Sequence, residues 1–161
     1  MTIKFEDIEQ EVAVYDEMVE FDVEVNGKDE VVKFYPYFKD SKINELIKEL
    51  SEFYANTKTE KIFIKDEEFP DIVMFFIIRH FTDLEFEKNT KADVLYKQFN
   101  VVKNARLFKL LAETFPRESV TNVFNKANEL MEQAEVLLKT QAKIMEMNKG
   151  MRSKYSKLVG E

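Results

Sequence analysis

The residue types that most often carry out chemistry are sparse in this chain. Among its 161 residues there is one histidine, His80, and no cysteine. A serine–histidine–aspartate triad or a histidine-based metal site would need partners that the sequence does not mark. Because His80 follows an apolar run, we expect it to be a packed or helix-capping residue. The lack of cysteine excludes disulfides, thiolate metal sites and cysteine nucleophiles.

Four carboxylates gather just before a predicted helix: Asp66, Glu67, Glu68 and Asp71. Such a cluster could hold a divalent cation, because hard cations prefer oxygen ligands. The spacing fits no calcium loop, however, and no glycine is present to form the sharp turn that such a loop needs. We therefore interpret the cluster as solvated charge. We expect no metal site and no cofactor.

The three glycines stand alone in the sequence, at Gly27, Gly150 and Gly160. A nucleotide-binding loop needs several glycines at fixed spacing, so a P-loop or a dinucleotide-binding turn is strongly disfavoured. With no catalytic arrangement in view, the sequence predicts that the protein is not an enzyme.

Composition narrows the class of protein further. The chain is 45% hydrophobic and 34% charged, which suits one domain with an appendage. The longest apolar run, residues 72–78, is much shorter than the roughly 20 residues of a membrane span. The net charge of −7 disfavours nucleic acid binding, which needs a basic surface. We expect a soluble intracellular protein that contacts neither membranes nor nucleic acid.

The clearest strand pattern lies between residues 18 and 38. Four apolar residues alternate there with acidic ones: Val19, Phe21, Val23 and Val25. This period of two predicts a strand with one apolar face. Asn26-Gly27 follows and favours a tight type I′ turn. The return strand is predicted from residue 30 to 35, because Pro36 cannot donate a ladder hydrogen bond.

Three helices are predicted between residues 40 and 114. The first begins at Asp40 or Ser41, either of which can cap it, and ends near residue 56. The second begins around Pro70 and is apolar on all sides over residues 72–78, which is typical of a central core helix. The third begins with a capping-box pattern at residues 90–93. A break between residues 100 and 104 would divide the third helix in two.

The predicted fold class is α+β, mostly α, with a β-hairpin packed on a helical core and a long C-terminal helix. A third strand is allowed, because Val12 and Val14 alternate with polar residues and residues 61–65 form a brief extended connector. Residues 1–115 would form the globular body, and residues 116–161 the long amphipathic helix.

The last predicted helix, residues 117–158, carries a heptad pattern. Its apolar seam residues recur every seven positions: Val123, Leu130, Leu137, Ile144, Met151 and Leu158. The alternate seam positions 127, 134, 141, 148 and 155 hold Ala, Ala, Gln, Asn and Tyr. A permanent coiled coil favours branched aliphatic residues at both seams. The pattern therefore predicts a surface that engages a partner helix reversibly.

Two candidate binding surfaces follow from these patterns. The six apolar seam residues are the candidate partner-binding site. The methionines near the C-terminus would make such a surface adaptable, although an ordinary core would use them equally well. The hairpin is a candidate for self-association through the following residues: Val19, Phe21, Val23, Phe34 and Tyr35.

Several short strings carry a family resemblance. They are Val-Glu-Val-Asn-Gly-Lys at 23–28, Lys-Phe-Tyr-Pro-Tyr-Phe at 33–38, Phe-Pro-Asp at 69–71 and Arg-His-Phe-Thr-Asp-Leu at 79–84. In this order they resemble the tail assembly chaperone family of bacteriophages and prophages of Gram-positive bacteria, over about residues 18–115.

The resemblance implies a non-enzymatic, homo-oligomeric assembly factor. It would bind the tape measure protein and assist polymerisation of the tail tube protein. It would act in the host cell cytoplasm and be absent from the mature virion. An alternative is a small phage-encoded interaction protein that binds or inhibits a host factor, since acidic charge and small size suit that role equally. A structural virion protein and a cation-binding protein are further alternatives.

Overall fold

The computed structural model describes residues 1–87 and 91–158, with side chains through Lys154. The elements in chain order are α1 (Phe5–Ala13), β1 (Val19–Val25), β2 (Lys28–Phe34), α2 (Asp40–Thr59), α3 (Phe69–Phe81), α4 (Ala92–Lys103), α5 (Arg106–Thr114) and α6 (Arg117–Leu158). Short 3₁₀ turns lie at Val14–Asp16 and Asp66–Glu68. The predicted class, α+β and mostly α, is confirmed.

The chain forms two compact units, Met1–Lys126 and a second that begins at Ala127. The first unit includes the beginning of α6, whereas the sequence predicts a division before that helix. No helix in the described part of the chain is long and apolar enough to cross a membrane.

The predicted hairpin is confirmed. Within the described residues, β1 and β2 form a two-stranded antiparallel sheet that runs from the Val19–Phe34 pair to the Val25–Lys28 pair. Asn26 and Gly27 have φ angles of 53° and 75°, as a type I′ turn requires. The register places Val23 and Val32 on the buried face of the sheet.

The third strand expected near the N-terminus is wrong. Residues 12 and 13 end α1, because Phe5, Ile8 and Val12 follow a helical spacing and the first turn holds acidic residues that suit a helix N-terminus. Val14 begins a 3₁₀ turn.

Residues 61–65 do not form a strand either. The N–H of Ile62 bonds back to the carbonyl of Thr57 at the end of α2. The segment at the end of α3 lies beside β2 instead. There the N–H of Tyr35 donates to the carbonyl of Phe81, and the N–H of Asp83 donates to the carbonyl of Lys33.

The predicted helix positions are confirmed, with differences at their ends. α2 begins at Asp40, but Lys39 occupies the cap position and no side chain there makes a capping hydrogen bond. It continues to Thr59, three residues beyond the expected end. α3 is the core helix, since every residue from 72 to 78 is buried. The expected break falls between α4 and α5, and Thr90 of the predicted capping box lies outside the described residues.

An aromatic cluster joins the hairpin to the helices of the first unit. The rings of Phe38 and Phe81 stack with centroids 3.8 Å apart, and Phe34 meets Phe115 edge to face at 5.5 Å. Phe115 also lies 5.5 Å from Phe38. All four rings are at most 5% exposed. The start of α6 is therefore fixed by the same core that supports β2 and α3.

Candidate partner-binding surface

The environment of α6 changes along its length. Ser119 and Val123 are buried in the first unit, and Ala127 is also fully buried. Leu130 is half-buried, and every described side chain from 132 to 154 is exposed. The helix thus begins as a core element and continues as one whose side chains all contact solvent.

The exposed part of α6 is rich in apolar side chains. Seven of the sixteen residues from 136 to 151 are large, exposed and apolar: Val136, Leu137, Leu138, Ile144, Met145, Met147 and Met151. Single exposed apolar residues are ordinary, but a contiguous patch usually marks an interaction site. We call this set the α6 apolar face.

The α6 apolar face is broad because of how residues repeat around a helix. Leu137, Ile144 and Met151 follow the seven-residue spacing and drift only about 20° per heptad. Leu138 and Met145 lie on one side of this stripe, while Val136 and Met147 lie on the other side. The methionines can adjust their flexible side chains to partners of different shape. Such a face can be covered by a helix or a groove in another protein.

Charge along this helix changes from acidic to basic. Residues 127–138 hold three carboxylates and no basic residue, whereas residues 139–154 hold five basic residues and one glutamate. Glu135 lies four residues before Lys139, an arrangement that stabilises an isolated helix by a few tenths of a kcal/mol. The basic half carries Ile144 and Met151. A partner with acidic residues beside its own apolar stripe would complement it.

A hollow at the N-terminal end of this face is shallow. It is lined by residues of one helix only, among them Glu132, Val136, Leu137 and Thr140. Ligand pockets are concave and bury most of a small molecule. One convex helix cannot enclose a small molecule in that way. The surface is suited to a macromolecular partner.

The structure shows that only some of the predicted seam residues are exposed enough to bind a partner. Val123 has no exposed surface and packs as a core residue, and Leu130 is only half-exposed. Leu137, Ile144 and Met151 are 58%, 51% and 66% exposed, so these three can reach a partner. The side chain of Leu158 lies outside the described residues. The heptad pattern did not indicate Val136 or Leu138, which lie off the seam.

The predicted self-association residues of the hairpin have mixed environments. Val23 and Phe34 are each 5% exposed, and the ring of Phe34 meets that of Phe21 at 5.6 Å. Phe21 and Tyr35 are half-buried, while Val19 is exposed. Most of the apolar face of the hairpin therefore packs within the chain, which leaves Val19 as the member best placed to meet another molecule.

His80 is packed and hydrogen-bonded, in keeping with its position at the end of the apolar run. Its Nε2 lies 2.6 Å from Oε2 of Glu49, and Arg79 donates to the other oxygen of the same carboxylate at 3.2 Å. Arg79 also donates to Gln98 at 2.9 Å. Burial alone would raise the pKa of Glu49, but His80 and Arg79 together outweigh it and lower that pKa. These hydrogen bonds connect α2 to α3, and α3 to α4.

The acidic cluster before α3 is partly engaged in structural hydrogen bonds. Glu68 accepts from the backbone N–H of Lys65 at 3.0 Å and from the hydroxyl of Tyr96 at 2.8 Å. Asp66 and Glu67 are exposed, as the interpretation of solvated charge requires. In the stretches 1–87 and 91–158, no group of three or more histidines and carboxylates could hold a metal ion.

The fold and this surface define a mostly helical α+β protein in which one long helix carries an exposed apolar face. The family model named YomO matches residues 5–156, so the chain belongs to the YomO family. That name is associated with bacteriophages and prophages, and with a Bacillus-type prophage gene. Neither the curated proteins nor the solved structures contain a match to this chain.

Proposed function

We propose that this YomO family member is a non-enzymatic phage tail assembly chaperone that binds the tape measure protein through the α6 apolar face. The observation that carries the proposal is the exposure of seven large apolar side chains between Val136 and Met151. Two further facts support it. The family name is associated with phages and prophages, and the strings at 33–38 and 79–84 resemble those of tail assembly chaperones.

The energetics of the face suit a chaperone that must release its partner. Full burial of a Leu, Ile or Met side chain contributes about 1.5–3 kcal/mol. Leu137, Ile144 and Met151 are already partly covered by their own helix, so each would contribute less. Gln141 and Asn148 interrupt the neighbouring seam, which weakens permanent pairing. Ordering two helices also opposes binding. We expect each copy to bind the tape measure protein with modest affinity, so that many copies are needed to cover it stably.

A tape measure protein is a suitable partner in physical terms. A long helical protein exposes apolar side chains along its length and aggregates when they are left uncovered. Many copies of a helix-binding protein would protect it until tail tube subunits polymerise around it. In this proposal the protein acts in the host cytoplasm, oligomerises and is absent from the finished virion.

The proposal is tested by co-expression with a tagged tape measure fragment. The test variant carries Leu137→Asp and Ile144→Asp, because both side chains are exposed and their replacement should leave the fold intact. The matched control carries Ala142→Asp and Ser153→Asp, which place two carboxylates on the opposite side of the same helix. Circular dichroism checks that both variants keep their helical content.

We expect the tape measure fragment to co-purify with the wild type and the control, and not with the test variant. Equal recovery with all three folded proteins would contradict the proposed surface. If the wild type ignores the fragment but retains one host protein in stoichiometric amounts, the tail chaperone role is wrong. The alternative, a phage-encoded protein that binds a host factor, would then be favoured.

A further inference from the structure

A second apolar face lies at the N-terminus, on α1. Phe5, Ile8 and Val12 share one side of this helix and are 71%, 47% and 49% exposed. Ile3, just before the helix, is 77% exposed. Every residue of α1 is exposed. Although the helix is clearly amphipathic, its apolar side contacts solvent.

Such a helix lacks the usual source of helical stability. α1 has nine residues, and isolated helices shorter than about 12–15 residues are marginal in water. Short helices in proteins are normally held by packing of their apolar side. The contact that would cover Phe5, Ile8 and Val12 is therefore expected to come from another molecule.

The charges of α1 indicate what that molecule carries. The helix holds four carboxylates and no basic residue: Glu6, Asp7, Glu9 and Glu11. A segment of complementary, basic charge occurs in this chain, because residues 139–154 of α6 hold five basic residues and one glutamate. Opposite charges beside two apolar stripes fix which helices pair and in which register.

The two stripes also match in length. Phe5 and Val12 are seven residues apart, as are Ile144 and Met151, so each stripe spans about 10.5 Å along its helix. Lys143 and Lys154 lie on one flank of the α6 stripe, and Arg152 lies on the other. Glu9 and Glu11 lie beside the α1 stripe on opposite flanks.

We propose that α1 of one copy docks on the Ile144–Met151 stretch of α6 of a second copy. A two-fold arrangement makes this contact twice, which strengthens a pair of individually small contacts. The inference goes beyond the proposed function, because it assigns a self-association surface that is separate from the hairpin. It also means that a second copy and a partner helix compete for the same part of α6.

The test is an exchange of charge between two full-length variants. The α1 variant carries Glu9→Lys and Glu11→Lys, and the α6 variant carries Lys143→Glu and Arg152→Glu. Within either variant alone, the flanking residues at positions 9 and 11 carry the same sign of charge as those at positions 143 and 152. In a mixture, both reciprocal contacts again join opposite charges. Sedimentation velocity measures association of the wild type, each variant and the mixture at low and high salt.

We expect the wild type to self-associate with increasing concentration, and each variant to do so at least about tenfold more weakly. The equimolar mixture should regain wild-type association, and high salt should weaken association of both. A matched control, Glu52→Lys on the exposed side of α2, should behave as the wild type.

A wild type that stays monomeric at every concentration would overturn the inference, as would a mixture no more associated than its components. Neither result depends on the tape measure fragment. A restored mixture together with no fragment binding would sustain the docking of α1 and reject the proposed function.

Discussion

The hydroxyl of Ser119 donates a hydrogen bond of 2.7 Å to the backbone carbonyl of Pro36, 83 positions away in the sequence. It joins the first turn of α6 to the segment that leaves the hairpin. Phe38 and Phe115 pack edge to face in the same region. This polar contact and the aromatic cluster fix where α6 begins.

Ser119→Ala should lower the free energy of unfolding by about 1–3 kcal/mol, because it leaves the partly buried Pro36 carbonyl without its partner. Urea denaturation of the full chain measures the change. Ser153→Ala, on the exposed part of the same helix, should change stability by less than about 0.5 kcal/mol. Equal effects at the two serines would show that the contact with Pro36 contributes nothing.

A buried and an exposed residue of the apolar seam should respond differently to the same kind of truncation. Val123→Ala removes buried methyl groups and leaves a cavity, so we expect a loss of roughly 2 kcal/mol. Leu137→Ala removes a larger side chain that is 58% exposed, and alanine favours helix, so stability should change by less than about 0.5 kcal/mol. Urea unfolding midpoints compare the two. A larger loss at Leu137 would mean that it is buried in solution.

This contrast shows what the sequence could not reveal about the candidate site. Val123 and Leu137 occupy equivalent heptad positions, and the spacing alone cannot distinguish a residue that meets its own core from one that meets solvent. The bounds of α6 could be predicted because the repeat is long and Pro116 precedes it. The hairpin could be predicted because Asn26-Gly27 specifies both the turn and the register.

The N-terminal helix was missed for a related reason. The positions of Val12 and Val14 predict a short strand, whereas the spacing of Phe5, Ile8 and Val12 is that of a helix. Short apolar patterns fit a strand and a helix almost equally well. A pattern whose apolar side stays exposed in the folded chain gives no further constraint that would decide between them.

Glycine-to-alanine changes at two positions should have opposite effects. At Gly150 a Cβ would meet no atom within 4 Å, so Gly150→Ala should favour the distal helix by about 1 kcal/mol. At Gly27 the φ angle is +75°, where an L side chain is strained by roughly 1–2 kcal/mol, so Gly27→Ala should destabilise the hairpin. Circular dichroism at 222 nm and the urea midpoint separate the two effects. A gain of stability at Gly27 would contradict the turn geometry.

The carboxylate of Glu49 should make stability depend on acid pH. Its pKa in the folded protein is below the ordinary value of 4.5, so the stability it contributes is present above about pH 4.5. That stability is lost as the pH falls through the folded-state pKa. Glu49→Gln should be less stable than the wild type by about 1–3 kcal/mol at neutral pH, with the difference shrinking below pH 4.5.

Unfolding free energies measured from pH 3 to pH 7 check this dependence. Glu45→Gln, on the exposed side of the same helix, serves as the control and should follow the wild-type profile. A difference between Glu49→Gln and the wild type that stays constant down to pH 3 would contradict a stabilising role for the charged carboxylate.

The passage of α6 from buried Val123 to exposed Met151 has a consequence for amide hydrogen exchange. Amides around Val123 should exchange only when the whole first unit opens, whereas those around Met151 should exchange through local fraying that leaves the core intact. One uninterrupted helix would then show two rates of deuterium uptake. A partner bound at the distal end would slow the faster rate and leave the slower one unchanged.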